Sequence, residues 1–183
     1  MIDVSNGLVA MLDVSIALDR SDYNRAVTVR RSDPLDRSGV SAAVAEVAAG
    51  ECGREERARG IGDIIRSSGG YRWVGLYDVT DAEIAIIAWS GAGPPAHPRF
   101  SRTRGLSGTA AATGETVVVN DVTSDPRYLE TFGDTRAEVV VPVTVEGVVR
   151  GTLDVESAIK DAFDVAKQAF LEACAAAALA LWS

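Results

Sequence analysis

The spacing of apolar residues changes at one place in this chain, and that change limits the folds open to it. Before residue 67, Val44, Val47, Ala58, Ile61, Ile64 and Ile65 recur near helical spacing, whereas after Ser67-Ser68-Gly69-Gly70 the runs YRWVGLYDV and EIAIIAWS are β-rich and joined by the turn signal Thr80-Asp81. A second helical pattern closes the sequence: Phe163, Ala166, Phe170, Cys174, Ala177 and Leu181 share one side of a segment spanning about 163–181. Helix, strands, helix in that order predicts an α+β fold in which helices flank a mostly antiparallel sheet.

The strand region carries its own punctuation. GAGPPAHP at 91–98 reads as a loop, RGLSGTAAATGE as a short helix opening near Ser107, and TVVVN at 116–120 as a strand. Residues 121–136 read as a loop with one helical turn, and EVVVPV and VVRGTLDV as two strands joined at Glu146-Gly147. Upstream, residues 7–18 fit a short amphipathic helix and 19–39 a polar, arginine-rich linker broken by Pro34, so residues 1–40 are expected to be an extension of a domain at 41–183. Glycines at 50, 53, 60 and 62 interrupt the helical region at 41–68, with a kink expected at 50–53.

Bulk properties exclude several classes. A length of 183 residues suits one domain with a full core. A net charge of −8 with pI near 4.7 disfavours a nucleic-acid surface, which needs clustered Lys and Arg. The start lacks a basic leader region, and its apolar run falls short of the ~20 residues that span a bilayer, so no membrane partner and a cytoplasmic location are expected. Only Cys52 and Cys174 are present, with no CxxC, and both are expected as reduced thiols.

Four stretches, spaced as one unit, carry a resemblance: YRWVGLYDV, GLSGTAAATGE, EVVVPV and GTLDVES. Together, over about 58–170, they resemble the GAF domain family, and within it the free methionine-R-sulfoxide reductases. The resemblance implies a six-stranded antiparallel sheet with helices on one face and a loop-roofed ligand pocket on the other. It also implies a departure, because those reductases carry cysteines where this chain has Ser107, the AHPRF loop containing His97, and the loop near Thr131. Sulfoxide reduction by that route needs a thiolate to attack sulfur and a second thiol to resolve the sulfenic acid. Cys174, on the apolar stripe, and Cys52, in an alanine-rich helix, read as inert structural thiols. Thiol-dependent reductase activity is therefore expected to be absent.

Within that frame the candidate site can be named. The two-residue period of Leu153-Asp154-Val155-Glu156 puts both carboxylates on one face. The resemblance places that face in the pocket with Glu138, where matching acids hold a substrate amino group; the alternative has Asp154 and Glu156 facing water and Glu138 paired with Arg136. Three acids sharing a dry pocket would take up protons unless a cation were bound. Trp73 and Tyr77 share a face with Gly75 between them, either as an aromatic pocket wall suited to a cation with an apolar body or as core packing. Ser107 completes the expected ligand-binding set, with helix N-capping as its other reading. His97 is the one histidine, either a solvated loop residue or, with Glu138, Asp154 and Glu156, a metal ligand. Arg99, Arg102 and Arg104, or the backbone amides at 105–109, offer places for an anionic end. The expected function is a stand-alone binding or sensing domain, homodimeric through its terminal helices, for a small amine or amino acid. No cofactor is indicated. The alternatives are an enzyme of another class reusing the pocket and a structural dimer whose pocket is filled by side chains.

Overall fold

A computed structural model describes residues 12–14, 29–31 and 37–183. The helical region divides into α1 (Arg37–Ala48) and α2 (Arg54–Gly69), broken at 49–53 as the glycines predict. Cys52 is exposed in this connection, not in a helix, because the break falls on it. Gly70 ends α2 in the left-handed region at φ 62°, its N–H returning to the Arg66 carbonyl. Upstream, β1 (Leu12–Val14) pairs antiparallel with β2 (Val29–Arg31). The helix expected at 7–18 is thus replaced by strand at 12–14, where a ladder partner outweighs the weak stability of a short isolated helix; the rest of that expectation, and most of the linker, lies outside the described residues.

Beyond Gly70 the chain builds β3 (Trp73–Val79), β4 (Glu83–Gly91), β5 (Arg99–Ser101), α3 (Gly105–Thr113), β6 (Val117–Val119), β7 (Ala137–Val145) and β8 (Val148–Ser157), then α4 (Val165–Ala177). The six strands from β3 onward form one sheet in the order β5-β4-β3-β8-β7-β6, antiparallel throughout. The two hairpins, β3–β4 and β7–β8, are those read from the sequence. At the second, Glu146 and Gly147 sit at φ 50° and 79°, the paired left-handed geometry of a type I′ turn, whose twist matches the flanking strands.

Strand alternation then sorts side chains onto two faces. Val74, Leu76, Val139, Val141, Leu153 and Val155 meet Ile61, Ile65, Leu171 and Cys174 of α2 and α4 in the main core. Each such aliphatic side chain contributes roughly 1.5–3 kcal/mol by leaving water. Asp164 caps α4, accepting from Lys167 N–H at 2.8 Å. Because the helix begins after it, Phe163 is buried in the preceding segment against Tyr71, with ring centroids 5.8 Å apart, and the stripe runs through Phe170, Leu171, Cys174, Ala175 and Ala178. Ala166, expected on that stripe, is exposed. The opposite face of the sheet carries α3 and the loops at 92–98 and 121–136, which leave space beneath them.

Candidate functional site

The β7–β8 register sets the site. Glu138 lies across from Glu156 and Val140 across from Asp154, while Gly75 of β3 flanks Asp154 on the other side. With Leu153 and Val155 committed to the helical core, the alternating acids point to the opposite face. All are buried: Glu138 is 6% exposed, Asp154 7% and Glu156 2%. The water-facing alternative therefore does not hold. Arg136 is not the partner of Glu138 either, since its guanidinium donates to the carbonyls of Gly133 and Thr135.

Burial without a matching cation moves all three acids upward. Desolvation, then the charges of Asp154 and Glu156, hold Glu138 well above the usual carboxylate range; desolvation, then Glu156, does the same to Asp154. Glu156 is pushed up to about 7 by burial, restrained by the Thr135 hydroxyl that donates to it and by nearby Arg72. Asp154 Oδ1 is buried with no hydrogen-bond partner. An unsatisfied buried acceptor costs on the order of 1–3 kcal/mol, so this oxygen is a point where the site lacks a partner.

A cavity opens over these acids, lined by Tyr77, Phe100, Leu106, Ser107, Glu138 and Asp154, with His97, Gly105, Leu129 and Thr131 completing it. It holds about 330 Å³ of empty space, solvent at its mouth included. Tyr77 is its aromatic wall, joined by Phe100 edge-on at 5.9 Å. Trp73 and Glu156 share the face but stand outside the lining. Trp73 is fully buried against Tyr77 (6.3 Å) and Phe132 (6.1 Å), with Nε1 donating to the Gly93 carbonyl at 3.1 Å. Its ring lies over Gly75, where an added Cβ would come within 2.2 Å of it.

Ser107 is not the N-cap of its helix. α3 starts at Gly105, which takes φ 77°; Arg104 is the cap without a side-chain bond, and Ser107 is the third helical residue, buried in the cavity wall. The amides of Gly105, Leu106 and Ser107 precede the first intrahelical bond, from Gly108 N–H to the Arg104 carbonyl, and belong to the positive end of the helix. His97 is half-buried at the cavity. Among the described residues no group of three or more His, Cys, Asp or Glu side chains stands in metal-ligating geometry, so the His97-carboxylate set is not assembled. Of the arginines, Arg99 pairs with Glu83, Arg102 pairs with Asp81 and donates to the Ala111 carbonyl, and Arg104 is exposed. None lines the cavity.

Phe100, Leu106 and Leu129 in the lining, and Thr135 beside Glu156, are site residues that were not among those expected. Phe100 offered a signal, as the one aromatic residue between the Pro98 loop and Gly105; Leu129 and Thr135 sit in a loop without periodicity. Neither cysteine reaches the cavity. Cys174 lies in the helical core, where burial pushes its thiol up to about 12.

A roofed cavity on one face of a six-stranded antiparallel sheet, with helices on the other, defines a small-molecule-binding α+β domain. Residues 53–180 match the GAF domain family, and the chain belongs to it. It is 30% identical over 99 residues to Protein YtsP of Bacillus subtilis, covering 54% of this chain and 61% of that one. To the free methionine-R-sulfoxide reductase of Saccharomyces cerevisiae it is 35% identical over 103 residues, or 55% and 57% of the two chains. The matches thus span about three fifths of those relatives. Among solved structures, the free methionine-R-sulfoxide reductase of Neisseria meningitidis with its substrate superposes with a TM-score of 0.72 at 28% identity, covering 80% of this chain and 87% of that one. No helix among the described residues is long and apolar enough to cross a membrane.

Proposed function

We propose that this chain is a ligand-binding, sensor-type GAF domain whose cavity takes a small amine or amino acid, with the ammonium group against Asp154 and Glu138. The observation that carries this reading is the unpartnered, buried Asp154 Oδ1 in the wall of a cavity that also holds Glu138. An N–H-bearing cation satisfies that acceptor and offsets the mutual repulsion of the acids. Tyr77 and Phe100 give the apolar body of the ligand an aromatic surface. Gly105, Leu106 and Ser107, the first residues of α3, line the same cavity, and amides at a helix start suit a carboxylate end. Glu156 and Trp73 support the set from behind.

The same reading excludes thiol-dependent reduction of free methionine sulfoxide. Cys174 is buried and protonated, Cys52 is exposed in the α1–α2 connection, and neither lines the cavity. Thiol-driven turnover of free methionine-R-sulfoxide by purified protein would sink this part of the proposal. We further take the protein as cytoplasmic and homodimeric, the latter because α1 exposes Ala42 and Ala45 and α4 exposes Val165, Ala169, Ala173 and Ala176.

The deciding experiment is native mass spectrometry of protein purified without added ligand, followed by a thermal-shift screen of amino acids and amines. A ligand at a hundred times its Kd stabilises by about 2.7 kcal/mol, which raises Tm by roughly 5–10 °C for a chain of this size. No shift with any amino acid or amine refutes the reading.

A further inference from the structure

The acids of the cavity have a consequence that rests on the ligand reading above. Glu138, Asp154 and Glu156 stand on two adjacent strands, and the groups facing them supply little positive charge. From β3 comes Tyr77, its hydroxyl kept protonated by burial and by the same acids; from the loop before β5 comes His97. The loop at 121–136 adds Tyr128, pushed up to about 12 by burial, together with Asp125, Asp134 and the neutral Thr135. Arg72, the cation near Glu156, donates through Nε and Nη2 to Asp134 and lies over the Phe132 ring at 4.3 Å; its Nη1 is buried without a partner, and its charge offsets only part of the upward shift of Glu156. Burial and this shortage of positive charge favour the neutral forms of Glu138 and Asp154, and Asp154 keeps a buried oxygen unpartnered.

We propose that this pocket exchanges protons for its ligand: an N–H-bearing cation docks against Asp154 and Glu138 as those carboxyls ionise, so occupancy is set by pH as well as by ligand concentration. In each exchange a carboxylic O–H bond breaks, the proton goes to solvent, and the carboxylate accepts hydrogen bonds from the ammonium group. No electrons are transferred. Linkage requires apparent affinity to rise about tenfold per pH unit for each proton released, until the ligand's own amine loses its charge. A ligand of the same shape with a hydroxyl in place of the amine releases none.

The test is calorimetric titration of the full chain with free L-methionine sulfoxide, in phosphate and in MOPS buffers, at pH 6.5, 7 and 7.5. Release of at least one proton, read from the buffer dependence of the enthalpy, is expected, with Kd falling about tenfold per pH unit. Asp154→Asn and Glu138→Gln should each reduce the release. Binding without buffer dependence overturns the exchange while leaving the ligand reading intact. Release that survives both carboxylate substitutions but vanishes in His97→Asn overturns it too. If this probe does not bind, the ligand reading fails for it, and carbon-13 NMR of the side-chain carboxyls in the ligand-free chain decides the exchange. Protonated Glu138 and Asp154 at pH 7 support it; titration of both below about pH 5, in the ordinary carboxylate range, overturns it.

Discussion

Replacing Glu156 by Gln removes one ionisable group from the site and leaves its shape in place, including an oxygen able to accept from the Thr135 hydroxyl. Glu156 is raised from 4.5 to about 7, first by burial. An acid whose folded value exceeds its unfolded one holds its proton more tightly when folded. The stability it lends is complete below about pH 4.5, declines as pH rises, and is lost once pH passes about 7. Over those two values, the wild type loses roughly 1 kcal/mol through this group by pH 5 and roughly 3 kcal/mol by pH 8. Ligand-free Glu156→Gln should therefore gain on the wild type by about 2 kcal/mol between those pH values, and by somewhat more where Glu138 and Asp154 are relieved of the Glu156 charge. Urea unfolding across that range measures the difference directly. Stability curves that run parallel from pH 5 to pH 8 would refute the claim that Glu156 sits in a dry, cation-poor site. At neutral pH the same variant should bind an amine ligand more weakly, because it has lost one of three nearby acids able to ionise beside the ligand's charge.

Other substitutions test the fold that holds the site. Gly75→Ala drives a methyl into the Trp73 ring, 2.2 Å from its nearest atom, and should cost about 1–3 kcal/mol in urea unfolding, with a change in tryptophan emission. The two thiols should separate in reactivity: exposed Cys52 modified promptly by an aromatic disulfide reagent in native protein, buried Cys174 only on unfolding. Prompt modification of both would contradict the packing of α4. Arg54 chelates Asp78 with bonds of 2.6 and 2.7 Å and donates to the Leu181 carbonyl at 2.9 Å, tying α2 to β3 and the C-terminal turn. Its pair is over a third exposed, so Arg54→Ala should cost only about 1–2 kcal/mol, readable by thermal unfolding.

The fold was legible because each element announced its period locally. The alternation in EIAIIAWS, the turn at Glu146-Gly147 and the glycine break at 50–53 are properties of neighbouring residues, and backbone sterics act at that range. The site was legible in part. Asp154 and Glu156 declare a shared face through a two-residue period, but Glu138 joins them only through the pairing of β7 with β8. Ser107 shows the limit of local reading: a serine near a helix start suggests a cap, yet Gly105 begins the helix two residues earlier and turns the hydroxyl residue into cavity wall.

Sequence alone, then, determined an antiparallel sheet flanked by helices, a pair of acids on one face of β8, and the absence of cysteine from the loops and strands that follow residue 70, up to α4. Tertiary structure decided what those acids experience. Burial depends on which loops roof a face, and the segment at 121–136 that brings Leu129, Thr131 and Thr135 over the sheet has no periodic pattern from which to place it. It likewise decided that Trp73 lies behind Tyr77 and not in the cavity, since residues sharing a strand face still differ in what packs above them. A carboxylate's face is set by its neighbours in the chain; its charge is set by the solvent and counter-ions that the folded surroundings admit.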